Sequence, residues 1–539
     1  MKKILKIIFI ALVLISCKKE NKVIASTIKT QNFTDIFLDE LAINAFFKSN
    51  PEKEDVIKEV NLFYKNRNYQ YAWFNKNGMT QAVPNFQNQL QNYSDDFNDK
   101  TFNNAQLDTL ITMIKTNPTD KEIDPKQREK LEILLTITFF KYSEKAFSGI
   151  NKNARKLDWF IPREKKNFQV FLDSLVLKDE DEKTYEPVNL YYSKLKEKLR
   201  LYRDIQKKGG FPIIKMEEEF LTKTETDSVL LKVKTRLFLS GDLKVEERNI
   251  LYTMELANAI SNFQQRVGLP ENGKLDFKTI AELNKTVDFR IKQMLINLER
   301  LRWVPVEIEN DYLLVNIPEY KLHVFENKKM VWQTNVVVGK AAKQTSIFKG
   351  NISRIILNPY WNVPTSITNK EILPKLKRNR NYLSRNNMEV ISGGKVINPR
   401  TINWNKYSRI PFEIRQKPGN DNSLGKMKFL FPNSYSIYLH DTPAKELFDR
   451  NQRDFSHGCI RVENPKKLAM HLLKNDKTWT QEKVDKVLET SKETAISILP
   501  NIPVYITYFT AWVDINGNLN FRNDIYNLDD DLAKEIFIE

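Results

Sequence analysis

One short stretch of this sequence holds most of the side chains that could perform covalent chemistry. Of two cysteines and four histidines in 539 residues, Cys459, His440 and His457 fall within 20 positions of one another. A thiol reacts as its thiolate, and free cysteine has a pKa of about 8.5, so a cysteine nucleophile needs a nearby base or a positive potential. His440 and His457 are the candidate bases. These residues predict acyl transfer through a thiolate.

Local patterns indicate how these side chains could meet. The β-prone run 435–439 follows a turn-forming segment and predicts a strand that ends at His440. Cys459 opens a second, short apolar run at 460–462. Because His440 and Cys459 are 19 positions apart, only folding can join them. Gly458 has no Cβ, so a substrate carbonyl could approach closely there, and amides near Cys459 could form an oxyanion hole.

Each of these residues also has a purely structural explanation. A lone cysteine is often a small buried apolar residue, and a lone histidine is often a hydrogen-bonded structural group. The complete string of residues favours chemistry over that explanation.

The string resembles the signature of the L,D-transpeptidase catalytic domain, a histidine followed after a loop by Ser-His-Gly-Cys-x-Arg. Every signature position is present, as His440, Ser456, His457, Gly458, Cys459 and Arg461. The resemblance implies that Cys459 is the acylated nucleophile and His440 its general base, with the backbone carbonyl of Asp441 orienting the imidazole. It gives Ser456, His457 and Gly458 supporting or oxyanion roles. No metal and no cofactor are implied.

Four further residues are candidate substrate contacts. Arg461, Arg450 and Arg453 could hold substrate carboxylates, because a guanidinium binds them bidentately. Structural salt bridges are the alternative role for Arg450 and Arg453. Trp361, in a segment that resembles one bordering the cleft of this family, could line that cleft or pack in a core.

The whole chain reads as a multidomain α+β protein, with helical scaffold and peptidoglycan-binding regions followed by a β-rich L,D-transpeptidase catalytic domain. We divide it into a lipoprotein signal and lipobox at 1–17, a tether at 18–32, a mainly helical scaffold at 33–234, a peptidoglycan-binding-like module at 235–290, the catalytic domain at 303–510 with a cap insertion near 369–409, and a C-terminal extension at 511–539.

The first segment is a targeting signal. Lysines flank an apolar run at 7–15 that is too short to span a bilayer, and Cys17 follows it. The residues 14–17 resemble a bacterial lipobox, which implies cleavage before Cys17 and lipidation of its thiol. An uncleaved anchor or a buried helix is the alternative. With one cysteine lipidated and one left for chemistry, no disulfide is expected.

The formal net charge of +17 suits an anionic partner. An exported protein rarely meets nucleic acid, so we expect the cell wall and the membrane, reached through the lipid anchor, to be the partners. Solvated lysines without a specific partner are the alternative. The anchor predicts an exported protein on a bacterial membrane, with the outer membrane facing the periplasm as the favoured location.

Apolar periodicity places several helices in the first half of the chain. A helical face is predicted for Phe37, Leu41 and Ala45, and another for Leu131, Leu135, Phe139 and Tyr142. In the module at 235–290, an apolar face runs through 252–267 and Gly268 is placed to end the helix. This module resembles a small helical peptidoglycan-binding domain, although a spacer without ligand would share the pattern.

The second half is predicted to be rich in strands, at 312–317, 321–325 and 331–338. The segment near 369–409 is basic and irregular in sequence, and resembles the inserted cap of the large enzymes of this family. Such a cap could exclude water and steer an anionic substrate, although a solvated surface excursion would look similar.

The resemblance implies a peptidoglycan L,D-transpeptidase. Cys459 would attack the diaminopimelate carbonyl of a tetrapeptide stem, expel D-alanine and pass the acyl group to an amine of a neighbouring stem, giving a 3→3 crosslink. Two other classes stay open: an L,D-carboxypeptidase that uses water as acceptor, and a non-catalytic tether between lipid and wall.

Overall fold

The computed structural model describes residues 34–116, 124–150, 154–177, 186–215 and 228–537. The predicted signal, Cys17 and the tether lie outside these residues. Within the described ranges, every helix is too short or too polar to cross a bilayer.

Helices account for most of the N-terminal half, as expected, and recur later. They are α1 Glu40–Ser49, α2 Glu54–Asn66, α3 Ala82–Phe97, α4 Ala105–Thr116, α5 Pro125–Ser143, α6 Phe168–Val176, α7 Leu190–Lys207, α8 Val229–Leu239, α9 Met254–Val267, α10 Phe277–Leu283, α11 Val287–Arg302, α12 Thr365–Ile367, α13 Leu373–Arg378, α14 Tyr382–Arg385, α15 Pro465–Leu472, α16 Gln481–Glu489 and α17 Leu528–Ile536.

Strands concentrate in the C-terminal half. They are β1 Phe74–Asn75, β2 Gly78–Met79, β3 Tyr312–Asn316, β4 Lys321–Glu326, β5 Lys329–Gly339, β6 Lys349–Leu357, β7 Trp361–Asn362, β8 Met388–Ser392, β9 Lys395–Ile397, β10 Glu413–Gln416, β11 Met427–Leu430, β12 Leu439–His440, β13 Asp454–Ser456, β14 Ile460–Val462, β15 Thr494–Thr507, β16 Ala511–Val513 and β17 Leu519–Phe521. The predicted fold class, a helical region followed by a β-rich domain, is confirmed.

The chain forms two compact units, and the smaller comprises residues up to 81 together with 107–135. Its centre is the buried carboxylate of Glu132, which accepts hydrogen bonds from the amides of Ala72 and Trp73 and from the hydroxyl of Tyr64. These donors satisfy a carboxylate that would otherwise be costly to bury. Burial raises the pKa of Glu132 to about 7.

The helical face predicted for Phe37, Leu41 and Ala45 is wrong. Phe37 and Leu41 are 62% and 73% exposed, while Ile43 and Phe47 are buried. Phe37 precedes the helix, because Asp39 caps α1 by accepting from the Leu41 amide. Leu41 and Ala45 do share a helical face, but Ile43 and Phe47 lie about 200° around the helix from them, and packing buries that opposite face.

The larger unit comprises 82–106 and the chain from 136 onward, and its main feature is a nine-stranded sheet. The strand order is β13-β5-β14-β12-β11-β6-β15-β3-β4, and β4 also pairs with β5. The sheet therefore closes on itself, with β13 added outside the ring. Alternate side chains point into this closed sheet, among them Leu439 and Ile460, which are fully buried.

The module at 235–290 contains α9 and α10, which pack with α8 around a separate apolar core. The face predicted through 252–267 is confirmed, since its members Tyr252, Leu256, Ala259, Ile260, Phe263 and Val267 are all buried. Gly268 ends α9 with a φ of 75°, a left-handed conformation that favours glycine.

The cap is a compact subdomain with its own sheet and core. Strands β7, β10, β8 and β9 form a four-stranded sheet, and helices α12–α14 pack on it around Leu376, Leu383, Val390 and Ile414. The sheet runs from Trp361 to Gln416 and so extends on both sides of the predicted insertion. Basic residues lie on its surface, while apolar residues spaced among them build the core that keeps it folded.

Candidate active site

Strand register brings the two predicted catalytic residues to one face of the closed sheet. β12 and β14 are parallel neighbours, with Leu439 opposite Ile460 and His440 opposite Arg461. Since successive side chains in a strand alternate, Cys459 lies on the same face as Arg461, and the face turned away from the buried Leu439 and Ile460 carries the chemistry. His440 and Cys459, which are 19 positions apart in sequence, are thus brought to one face of the sheet.

His440 is buried and held in one orientation. Its Nδ1 lies 2.5 Å from the carbonyl oxygen of Asp441, which can only accept, so Nδ1 carries the proton and Nε2 is the free base. Burial lowers the pKa of His440 to about 3, and the positive charges of Arg461 and Lys428 act in the same direction. The imidazole is therefore neutral and able to accept a proton.

Asp441 is itself fixed by three contacts. Its amide donates to the carbonyl of Met427 at 2.8 Å, and its carboxylate accepts from the amide of Lys426 at 2.8 Å and the ammonium of Lys445 at 2.6 Å. A backbone carbonyl held this way gives the His440 ring a rigid support.

The Cys459 thiol is half-buried and protonated at rest. It donates to the carbonyl of Ser436 at 3.6 Å. Burial raises the pKa of Cys459 above its ordinary value, and hydrogen bonds from the amide and hydroxyl of Tyr438 and the charges of Lys428 and Arg461 oppose that rise. The resting pair is consequently a neutral thiol beside a neutral imidazole.

Two side-chain hydroxyls, those of Ser456 and Thr345, fix the conformation of the loop that precedes Cys459. Ser456 Oγ accepts from the Gly458 amide at 3.0 Å and donates to the Cys459 carbonyl at 2.6 Å. Thr345 Oγ1 accepts from the Gly339 amide at 2.9 Å and donates to the Gly458 carbonyl at 2.8 Å. Gly458 has a φ of 114°, which this turn requires and only glycine adopts easily.

These bonds decide which amide can serve an oxyanion. The Gly458 amide is occupied by Ser456, so it does not face a substrate carbonyl. The Cys459 amide has no hydrogen-bond partner among the described residues. Of the amides that the sequence placed near the thiol, that of Cys459 is the one available to stabilise developing negative charge.

Tyr438 connects the thiol to the cap. The Tyr438 hydroxyl lies near enough to the Cys459 sulfur and to Trp361, the first residue of β7, for both to influence the pKa of Tyr438. The Lys428 ammonium lies 3.9 Å from the centre of the Tyr438 ring. Trp361 therefore borders the thiol side of the site through Tyr438.

A second connection to the cap runs through His457. Its Nε2 lies 2.8 Å from Oε1 of Glu371, which belongs to a π-helical turn, Thr368–Ile372. His457 points outward to this carboxylate, and His440 is the histidine that shares a face with the thiol. Single π-helical turns often occur at functional sites.

The guanidinium of Arg453 binds backbone carbonyls away from the Cys459 thiol. Its guanidinium donates to the carbonyls of Arg450 at 2.7 Å, Tyr320 at 3.2 Å and Val336 at 3.3 Å. It lines a cavity of about 720 Å³ whose lining includes none of Cys459, His440 and Arg461. In this arrangement Arg453 secures the crossover between β12 and β14, and Arg461 is the arginine beside the site.

Sequence reasoning missed Lys428, Thr345 and Glu371. The sequence does carry a signal for Lys428, because it is a charged residue between the apolar Met427 and Phe429, and such alternation in a strand turns the charge away from the core. No such signal exists for Thr345 and Glu371, because each reaches the site through contacts between residues about 80 or more positions apart.

Among the described residues, His, Cys, Asp and Glu form no cluster suited to hold a metal ion.

Comparison with known proteins defines the class. Residues 310–486 match the family YkuD, the L,D-transpeptidase catalytic domain, and residues 58–199 match the family described as Scaffold domain. Residues 310–486 are therefore an L,D-transpeptidase catalytic domain, joined in this chain to a scaffold domain.

The chain is similar to particular proteins over part of its length. The chain is 37% identical over 240 residues to a Haemophilus influenzae protein named putative L,D-transpeptidase, and the match covers 44% of this chain and 48% of the relative, about half its length. The chain is also similar to solved L,D-transpeptidase structures. For the protein from Stackebrandtia nassauensis, the identity is 14% and the TM-score 0.21, and the match covers 53% of this chain and 97% of that one. For the protein from Xylanimonas cellulosilytica, the identity is 13% and the TM-score 0.18, and the match covers 54% of this chain and 100% of that one.

Proposed function

We propose that this protein forms 3→3 crosslinks in peptidoglycan through a thioester on Cys459. The observation that carries the proposal is the shared face of His440 and Cys459 on adjacent strands, with Nδ1 of His440 bonded to Asp441 and Nε2 left as a base. That arrangement fits a thiol that gives up its proton as it attacks a carbonyl.

In the acylation step, the Cys459 proton moves to Nε2 of His440 and the sulfur attacks the carbonyl carbon of diaminopimelate in the donor stem. The carbon–sulfur bond forms and the carbonyl oxygen becomes an oxyanion. Collapse of this intermediate breaks the bond to the nitrogen of the terminal D-alanine, which takes the proton from His440 and leaves. The product is a thioester and a free amino acid.

In the transfer step, the amine of a second stem attacks the thioester carbonyl and gives a proton to His440. The carbon–sulfur bond breaks, a new amide forms, and the proton returns to Cys459. His440 thus acts first as base and then as acid, which suits an imidazole that is neutral at rest.

The oxyanion needs donors placed before the reaction begins. The free amide of Cys459 and the hydroxyl of Tyr438 are the two candidates, since both lie at the thiol. Trp361 lies near the Tyr438 hydroxyl on the cap side, and we infer that the cap contributes to positioning this donor.

We also propose that the protein acts from a membrane, anchored by lipid on Cys17 and exported to the periplasmic face of the outer membrane. The lipobox-like residues 14–17 and the basic start of the chain support this. Replacing Cys17 by Ala should move the protein from the membrane fraction to the soluble fraction of cells. Retention of the variant in membranes would overturn the lipid anchor.

Intact-protein mass spectrometry tests the chemistry. The purified protein is incubated with a disaccharide-tetrapeptide, beside Cys459→Ala and with analysis of the released peptides. We expect a covalent adduct that depends on Cys459, followed by crosslinked dimer when acceptor is present. Tripeptide without dimer would replace the transpeptidase by a carboxypeptidase, and no adduct on folded protein would favour a non-catalytic tether.

A further inference from the structure

A row of three side chains crosses the active-site face. Lys428 of β11 is directly opposite His440 of β12, and His440 is directly opposite Arg461 of β14. Neighbouring strands lie about 4.8 Å apart, so the two cations flank the imidazole on either side. We propose that Lys428 and Arg461 form a subsite that binds the carboxylate adjoining the reacting nitrogen of the substrate.

Neither cation has a counter-anion within the described part of the chain. The Nε of Arg461 is fully buried and makes no hydrogen bond. Lys428 is half-buried, and its ammonium rests on the ring of Tyr438, which supplies only a cation–π contact. Buried charges are normally paired because desolvation is costly. Two unpaired cations beside a thiol therefore indicate an anion that arrives with the ligand.

The acidic side chains around the site are committed elsewhere or stop short of the cations. The Asp441 carboxylate is taken by Lys426 and Lys445, and Glu493 accepts from the amide of Tyr360 at 2.8 Å. Glu446 influences Arg461 electrostatically and forms no ion pair with it. Burial lowers the pKa of Lys428 and of Arg461, as expected for partly buried cations that form no ion pair.

The chemistry of the substrate identifies the anion, and this step rests on the proposed function. The leaving D-alanine carries a carboxylate on the carbon next to the nitrogen whose bond breaks. The acceptor amine of diaminopimelate also has a carboxylate on its own carbon. One subsite beside Cys459 can therefore hold first the leaving residue and then the acceptor, each with its nitrogen toward the carbonyl carbon. This would restrict cleavage to the terminal residue and select α-amino carboxylates as acceptors.

Two alkylating reagents test the subsite without transpeptidation. Iodoacetate and iodoacetamide both form a bond from sulfur to carbon with loss of iodide, and they differ in carrying a carboxylate or a neutral amide. We expect Lys428→Met to lower the ratio of the iodoacetate to the iodoacetamide rate about tenfold, the usual worth of a charged hydrogen bond. Lys428→Arg should keep most of the ratio.

Lys349→Met is the matched control. Lys349 also lies on a strand and over a tyrosine ring, 5.0 Å from the centre of Tyr505, but it is paired with Glu309 and lies apart from the row described above. The ratio should be unchanged in this variant. An unchanged ratio in Lys428→Met would overturn the subsite, whether or not the protein turns over tetrapeptide.

A second experiment links the subsite to the substrate. Acylation by tetrapeptide and by its C-terminal amide is compared in the native protein and in Lys428→Met. If Lys428 binds the terminal carboxylate, the variant should lose about tenfold in kcat/KM with the acid and little with the amide. Equal losses with both would assign Lys428 a structural role. A changed alkylation ratio with no acylation at all would keep the subsite and reject the transpeptidase.

Discussion

The hydroxyl of Thr345 donates to the carbonyl of Gly458 at 2.8 Å, and the same hydroxyl accepts from the amide of Gly339 at 2.9 Å. This side chain thus fixes the residue before the nucleophile to the end of β5. The loop that bears Cys459 is positioned from outside its own motif.

Replacing Thr345 by Val keeps the shape of the side chain and removes both hydrogen bonds. We expect a loss of about 1–3 kcal/mol in stability, because the buried Gly339 amide and Gly458 carbonyl lose their partner, and a lower acylation rate. Thr507→Val is the control, since the Thr507 hydroxyl is also buried and donates to the carbonyl of Val315 at 3.0 Å. If both variants acylate equally well, Thr345 does not position the nucleophile.

The protein without substrate should show no thiolate–imidazolium pair near neutral pH. The pKa of His440 is lowered to about 3 and that of Cys459 is raised, so both groups are neutral between these values. Alkylation by iodoacetamide should then rise about tenfold per pH unit from pH 6 toward pH 9, because only the thiolate reacts. A rate that is flat across this range would mean that an ion pair already exists.

Tyr438→Phe should slow acylation and leave the fold intact. The substitution removes the hydroxyl near the Cys459 sulfur and Trp361, while the ring stays to support Lys428. Loss of one preorganised donor to an oxyanion typically costs about 100-fold in rate. Rapid-quench measurement of acylation gives the effect, and Tyr505→Phe, which removes a hydroxyl bound to Glu309, serves as control. An equal effect in both would exclude a role at the thiol.

Gly425→Ala should damage both stability and catalysis. Gly425 has a φ of 62°, and a Cβ there would collide with the carboxylate of Asp441, whose carbonyl supports His440. Gly517 has a φ of 82° with open space around it. Gly517→Ala should cost only the left-handed strain of about 1 kcal/mol, and Gly425→Ala about 2–4 kcal/mol with loss of acylation. Thermal unfolding and acylation assays of the two variants make the comparison.

Much of the active site could be predicted because its information is local. The spacing of Ser456, Gly458 and Cys459 fixes a turn and a nucleophile, and the short apolar run after them forms β14 where expected. The helical face through 252–267 could also be predicted, because its apolar residues repeat with the period of a helix and are buried. These features depend on neighbours in sequence.

The unpredicted features depend on contacts between distant segments. Nothing near Glu371 shows that it will meet His457 from an inserted subdomain. The alternation around Lys428 indicates that it leaves the core, but only the strand order reveals that His440 stands beside it. Leu41 shows a second kind of failure, because its spacing fits a helical face, but tertiary packing buries the opposite face, with Ile43 and Phe47.

The parallel pairing of β12 and β14 also determines where the chain can be lengthened or shortened without disturbing the candidate active site. Between these strands the chain adds β13 to the edge of the sheet, and the length of the segment that precedes β13 does not enter the register of β12 and β14. An insertion at the exposed Asn451 would leave His440 and Arg461 opposite each other. One residue inserted between Tyr438 and His440 would instead turn the imidazole into the closed sheet. Length changes are therefore tolerated near Asn451, ahead of β13, and disrupt the site when they fall in the two short strands.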